Sequence, residues 1–177
     1  LEFRRVLFRS LFPVPEKVNK VVGATEYIAD YYDVAVETDI QDSLETPAMY
    51  ESEIYSILIN LVTNAIKAVA SADDESGRIK ITADKLDDGM QLRVLDTGIG
   101  MSDMAKKQVL NPLVADPDGN MYDNLSDMMP EDLQDQLGKG SGLGLHIVNN
   151  IAGKYGGEVS FPDVEGWATC VEVTLYE

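Results

Sequence analysis

The sequence predicts an α+β fold, a two-layer sandwich with about three main helices packed on one face of a mixed, mostly antiparallel sheet. Three observations carry this expectation. Residues 51–71 place Ile54, Ile57, Leu58, Leu61, Val62, Ala65 and Val69 on one helical stripe, with no internal Gly or Pro. Two stretches of alternating apolar and polar residues, 78–86 and 90–96, flank Asp87-Asp88-Gly89, the composition of a hairpin turn. Finally, 177 residues, 45% of them hydrophobic, suffice for one packed core and are too few for two large ones.

The elements follow in order. Residues 1–10 hold Arg4, Arg5 and Arg9 in an otherwise acidic chain; they resemble translated adaptor sequence or a disordered segment and are set aside, leaving a domain over 11–177. Pro15 suits a first helical turn, and Val18, Val21, Val22, Tyr27, Ile28 and Tyr31 recur at helical spacing over about 15–32. Asp33 to Ile40 alternates as a strand, and a short extended piece around Ala48–Tyr50 leads into the 51–71 helix. After the hairpin, 98–139 is rich in Asp, Asn, Met, Pro and Gly, with short helical pieces at most. A loop of that length in a compact domain is functional or disordered. Leu145, Val148 and Ile151 mark a third helix over 141–155, and strands at 158–161 and 167–176 close the chain.

Acidic residues number 31 against 14 basic, a formal net charge of −17. That balance excludes a nucleic-acid binder and disfavours an anionic membrane surface, both of which need clustered Lys and Arg. It fits a saline habitat as well as it fits an ordinary acidic domain. The single cysteine, Cys170, excludes an internal disulfide, and the single histidine, His146, excludes a His-rich metal site. No run of 18 to 20 consecutive apolar residues is present, so a cytoplasmic domain is expected.

Three motifs carry chemistry. Asn60, Asn64 and Lys67 stand at i, i+4 and i+7 of the strongest helix and project as one row beside the apolar stripe. Such a row is either a solvated helix edge or a cleft wall that ligates a hard cation through amide oxygen and meets phosphate through Lys. Asp96-Thr97-Gly98-Ile99-Gly100-Met101 leaves the second hairpin strand; its Asp either ends the strand at a turn or accepts a hydrogen bond from an exocyclic amine. Gly138-Lys139-Gly140-Ser141-Gly142-Leu143-Gly144-Leu145 opens the third helix. It is either a hinge or a backbone cradle for phosphate at a helix N-terminus, and it matches neither the Walker loop nor the dinucleotide fingerprint.

In this order and separation the motifs resemble the ATP-binding superfamily of DNA gyrase B, the heat-shock ATPase chaperone, the MutL mismatch-repair protein and the sensor histidine kinases. Residues 58–68 look like the asparagine box of histidine kinases, 96–101 like their first glycine box and 138–145 like their second. Gly166-Trp167-Ala168-Thr169 resembles their Gly-x-Gly-Thr. The resemblance spans about 15–176 and implies the Bergerat ATP-binding fold with an ATP lid over about 101–139. It implies that Asn64, helped by Asn60, ligates Mg²⁺ bridging ATP phosphates, that Lys67 contacts phosphate, and that Asp96 reads the adenine amine with Thr169 supporting it through water. Gly98, Ile99, Gly100 and Met101, then Lys139, Gly140, Ser141, Gly142, Leu143, Gly144 and Leu145, complete the implied ATP site, in which Asn60, Asn64 and Lys67 are the catalytic residues.

Hydrolytic members carry Glu at the position of Asn60 as a general base; an amide oxygen cannot take that proton, so phosphotransfer is expected over hydrolysis. The implied activity is transfer of the ATP γ-phosphoryl to a histidine of a dimeric acceptor domain outside this segment, and from there to a response regulator. This segment alone is expected to be monomeric. Two alternatives share these boxes: a serine kinase of the anti-sigma-factor type and a nucleotide-binding pseudokinase. The chain departs from the family in having no Phe in 101–137, where Leu110-Asn111-Pro112-Leu113 takes that place, and no phosphoacceptor histidine; His146, inside the second glycine box, is expected to be structural.

Overall fold

The computed structural model describes residues 8–72, 77–110, 130–137 and 143–177. The elements run α1 (Val14–Tyr31), β1 (Val34–Ile40), α2 (Glu51–Ala70), β2 (Gly77–Leu86), β3 (Gly89–Asp96), α3 (Asp103–Leu110), α4 (Glu131–Leu137), α5 (Gly144–Lys154), β4 (Val159–Ser160) and β5 (Thr169–Tyr176). The five strands form one sheet in the order β1-β2-β3-β5-β4. Among the described strands, only β1 and β2 pair in parallel; the other three pairings are antiparallel. The mixed two-layer sandwich is the predicted one.

Period-two burial sets the layers. Ile79, Ile81 and Ala83 of β2, Met90, Leu92 and Val94 of β3 and Val171, Val173 and Leu175 of β5 are all buried, and they meet across the sheet in register. The helices α1, α2 and α5 lie against this face, with α2 in the middle. Its Ile54, Ile57, Leu58, Leu61, Val62 and Ile66 are almost completely buried. By length and mean hydropathy, 1.2 over 18 residues, α2 is apolar enough to cross a membrane; here its apolar stripe is core. The opposite sheet face is polar and carries the ion pairs Lys80–Asp39, 3.4 Å, and Arg93–Glu172, 2.7 Å.

Differences from the sequence expectation have local causes. The hairpin turn is two residues, Asp87-Asp88, because Gly89 already pairs with Leu86 and with Tyr176. A Cβ on Gly89 would lie 2.1 Å from the Leu175 carbonyl oxygen, so glycine is what lets β5 approach. The strand expected over 158–161 shortens to Val159–Ser160, and β5 starts at Thr169 rather than Trp167. Ser10, set aside with the first ten residues, exchanges two backbone hydrogen bonds with Met49, at 2.9 and 3.1 Å. The segment 98–139 holds the short helical pieces expected of it, α3 and α4, with Leu133 of α4 fully buried.

The same helix that fills the core begins with firm anchors. Glu53 accepts hydrogen bonds from the Tyr50 N–H at 3.3 Å, the Lys154 ammonium at 3.1 Å and the Tyr155 hydroxyl, tying the start of α2 to the end of α5. Lys17 of α1, 4% exposed, pairs with Glu51 at 2.6 Å. These contacts fix the register of the helix layer and therefore where the polar row on α2 emerges.

Candidate functional site

The row on α2 lies half in the core. Asn60 commits its amide nitrogen to its own helix, donating to the Ser56 carbonyl at 2.7 Å. Its Oδ1 faces Gly144, the first residue of α5, closely enough that a Cβ there would sit 2.6 Å away. Asn64 is half-buried one turn on and has no hydrogen-bond partner among the described residues. Lys67, 8% exposed, donates to the carbonyl of Leu137 at 3.2 Å, and burial holds its ammonium below the ordinary lysine pKa.

Asp96 ends β3 on the helix-facing side of the sheet. It is 4% exposed and stands directly opposite Thr169 on β5 and Ile79 on β2. Burial pushes its carboxyl up to about 6, opposed by the Gly98 N–H, 2.9 Å from Oδ1, and by the Thr169 hydroxyl, both of which favour the ionised form. Beyond it the chain is clamped: the Asp96 carbonyl accepts from the Ala168 N–H at 2.9 Å, and the Thr97 hydroxyl accepts from the Arg78 N–H at 2.9 Å.

The glycines that follow bring this turn onto α2. The Ile99 N–H donates to the Ala68 carbonyl at 3.1 Å, and a Cβ on Gly98 would lie 2.3 Å from the Ala68 carbonyl carbon. Gly100 takes φ +78°, in the left-handed region that favours glycine. Ile99 is 36% exposed, whereas Met101 packs against the core. The asparagine row, the Asp96–Thr169 pair and the 98–101 turn thus surround the C-terminal half of α2.

Of the glycine run, Leu143, Gly144 and Leu145 are described. Leu143 is exposed, Gly144 meets Asn60 and Leu145 is buried. Lys139, Gly140, Ser141 and Gly142 lie outside the described residues, as do Asn111, Pro112 and Leu113. His146 is half-buried, with Nδ1 making no hydrogen bond among the described residues. Two features have no counterpart in the sequence reading. Lys106 of α3 and Trp167 help line a recess of about 300 Å³ beside Thr169, and the Leu137 carbonyl partners Lys67. Trp167 falls within the recognised Gly166–Thr169 stretch; Leu137 acts through its backbone, which no side-chain pattern reports.

The donor set bears on a metal. Amide oxygens are hard donors that suit Mg²⁺, which keeps several waters and takes one or two protein ligands beside phosphate oxygens. Asn60 has its oxygen free of its own helix, and the Asn64 amide has no partner among the described residues, so the row fits such an ion. Among the described residues no cluster of three or more His, Cys, Asp or Glu side chains stands ready to hold a metal alone.

Helices on one face of a mixed sheet, with a buried carboxylate at a strand end and an amide row on the central helix, define an α/β sandwich. The chain belongs to the histidine kinase-, DNA gyrase B- and HSP90-like ATPase family, whose model matches residues 49–177. It is 24% identical over 167 residues to the nitrogen regulation protein NtrY of Azorhizobium caulinodans, covering 90% of this chain and 19% of that protein. It is 32% identical over 119 residues to an uncharacterized sensor-like histidine kinase of Rhizobium meliloti, covering 67% of this chain and 19% of that one. The chain therefore spans about a fifth of the length of these curated relatives. Among solved structures it is similar to the nucleotide-free catalytic domain of the histidine kinase ThkA, with a TM-score of 0.70, 21% identity and 96% and 95% of the two chains covered. It is also similar to full-length ShkA in complex with AMPPNP, with a TM-score of 0.67, 22% identity and 96% and 32% covered. Relatives that are named as histidine kinases favour that branch over the serine-kinase alternative.

Proposed function

We propose that this chain is the catalytic unit of a two-component sensor kinase: it binds Mg·ATP and passes the γ-phosphoryl to a histidine on a dimeric acceptor domain, from which a response regulator aspartate takes it. The observation that carries this reading is Asn60. An amide stands where the hydrolytic relatives need a proton-accepting carboxylate, and its nitrogen is already bound to Ser56, so Asn60 cannot act as general base for water. The acceptor is then the imidazole nitrogen of the partner domain, which needs only to be brought in line with the phosphorus.

Each residue has a positioning task. Asp96, ionised at neutral pH, accepts the adenine amine while Thr169 and the Gly98 N–H hold its carboxylate in place. Asn64, with Asn60, holds Mg²⁺, and Lys67 meets a phosphate oxygen. The ion supplies charge neutralisation across the phosphates. Ile99, Gly100 and Met101 border the base, and Lys139 with the 140–145 backbone closes around the phosphates. Transfer breaks the bond from the γ-phosphorus to the β-bridging oxygen, which leaves with ADP, and forms a bond to the histidine nitrogen, whose lone pair attacks. The unit works in the cytoplasm, where ATP and the response regulator are found, and this chain by itself is monomeric.

Calorimetric titration of Mg·ATP into the chain tests the site, with Asp96→Asn and an EDTA control alongside. Binding that is weakened by Asp96→Asn and altered by EDTA supports the assignment. Addition of a histidine-bearing helical acceptor domain then gives an acid-labile phosphoramidate. Equal binding of ATP and GTP by the parent chain, or rapid release of inorganic phosphate without an acceptor, contradicts the reading.

A further inference from the structure

We propose that Arg78 and Trp167 are positioning residues for the base: their stack on the polar face of the sheet braces the turn before β5 so that Thr169 stays against Asp96. This rests on the reading of Asp96 as the contact for the adenine amine given above.

Thr169 stands at a weak point of the sheet. β4 is two residues long and pairs with Glu172 and Val173, so among the described strands 169–171 of β5 have a neighbour on the β3 side alone. The turn that delivers them is closed by the Trp167 N–H on the Val164 carbonyl at 3.1 Å, with Gly166 at φ +84°. One side of this turn borders the recess of about 300 Å³ that Lys106, Thr169 and Cys170 also line. Lys106 reaches Asp163 of the turn across 3.6 Å, but that carboxylate is fully exposed and such a pair holds little.

Arg78 supplies the stronger hold. Alternation along β2 turns its side chain to the polar face, away from buried Ile79. There its guanidinium carbon lies 5.1 Å from the centroid of the half-buried Trp167 ring, and an indole face is the best aromatic partner for a cation. Among the described residues no carboxylate pairs with Arg78. Its backbone is pinned beside Asp96: the Arg78 N–H donates to the Thr97 hydroxyl at 2.9 Å, and its carbonyl accepts from the Thr97 N–H at 3.1 Å. Trp167 leads into Ala168, whose N–H donates to the Asp96 carbonyl at 2.9 Å, and then Thr169, whose hydroxyl bonds the Asp96 carboxylate. Arg78 thus ties both walls of the Asp96 site together from behind. Without the stack β5 starts loosely and the carboxylate is free to turn, and a hydrogen-bonding site rejects the wrong base only while its groups are held in place.

Calorimetric titration of the full chain with Mg·ATP and with Mg·ITP, whose base carries a keto oxygen in place of the amine, reads the brace. The parent prefers ATP. Arg78→Met and Trp167→Leu each reduce that preference about threefold or more, whereas Trp167→Tyr, which keeps a ring, preserves most of it. The two changes combined do no more than either alone, as expected of partners in one contact. Trp167 is the single tryptophan, so its fluorescence reports the stack directly, and its emission moves to the red in Arg78→Met. Arg78 is exposed, so that variant keeps the fold. An unchanged ATP preference in Arg78→Met, equal losses of ATP and ITP affinity, additive losses in the double variant, or unchanged Trp167 emission overturns the brace alone. Equal binding of ATP and ITP by the parent, or binding of neither, overturns the adenine reading and the brace together.

Discussion

Gly144 and Asn60 touch where α5 meets α2: the glycine has no side chain, and any Cβ in its place would sit 2.6 Å from Asn60 Oδ1. Because the Asn60 nitrogen is fixed to Ser56, the oxygen is the atom that must yield. Gly144→Ala is therefore expected to cost only about 1 kcal/mol of stability, the scale of an off-rotamer side chain. The metal-dependent part of ATP affinity falls about tenfold or more, since the amide oxygen is displaced. Thermal unfolding and titrations with and without Mg²⁺ separate the two effects.

Asp96 gives the fold a pH slope. Its carboxyl rises from 3.8 to about 6 through burial, so the folded state prefers the protonated form. Its contribution to stability is fully present below about pH 4 and is lost as the pH rises through 6, a change of about 3 kcal/mol. Denaturant midpoints of the parent and of Asp96→Asn, compared between pH 4 and 7.5, are expected to diverge in that window. The variant loses less on going to higher pH; parallel curves would remove the assignment.

Asn64→Asp keeps the size and an oxygen donor while adding a charge beside the phosphates. Nucleotide affinity changes modestly, and the phosphotransfer rate to a supplied acceptor falls about a hundredfold, the scale of a misplaced catalytic group. Single-turnover kinetics at saturating ATP read the chemical step, and an unchanged rate contradicts the metal role.

Two nearby glycines are required for different reasons. At Gly98 a Cβ would meet the Ala68 backbone at 2.3 to 2.6 Å including the Val69 nitrogen, and backbone cannot swing aside. At Gly100 the nearest atom is 3.7 Å away, and only the φ of +78° opposes a side chain. Gly98→Ala should destabilise the domain by about 3 kcal/mol, whereas Gly100→Ala costs about 1 kcal/mol. Chemical denaturation orders the pair.

Glu53 tests the scaffold away from the site. Burial favours its protonated form, but the Tyr155 hydroxyl, the Lys154 ammonium and the Tyr50 N–H together hold the carboxyl below its usual range. Its contribution is present above pH 4.5 and is lost as the pH falls through the lowered value. Glu53→Ala is expected to destabilise by about 2 kcal/mol, with ATP affinity unchanged. A weakened Kd would show that the α2–α5 junction reaches the nucleotide.

What the sequence discloses follows the periodicity of side chains. The stripe on α2 and the alternation of β2, β3 and β5 announce themselves because burial repeats every 3.6 or 2 residues. The same regularity aligns Asn60, Asn64 and Lys67, and the turn glycines after Asp96 mark a strand end. The place of α4 was not legible, since its single buried anchor, Leu133, sits among acidic residues and repeats no pattern. The Lys67–Leu137 contact was hidden for a different reason: its acceptor is a main-chain atom brought close only by tertiary packing. That Asp96 and Thr169 face each other directly could not be read from spacing either, because register between β3 and β5 is a property of the assembled sheet.

That pairing also orders events in time. β5 is the last of the described strands, yet it lies inside the sheet between β3 and β4. A polypeptide still emerging from the ribosome can build α1, β1, α2 and the β2–β3 hairpin from contacts already at hand. It has no wall opposite Asp96 until Thr169 arrives, and closing that long-range contact is a late step. Nascent or prematurely ended chains are thus denied a complete Asp96–Thr169 wall, which arrives with completion of the domain.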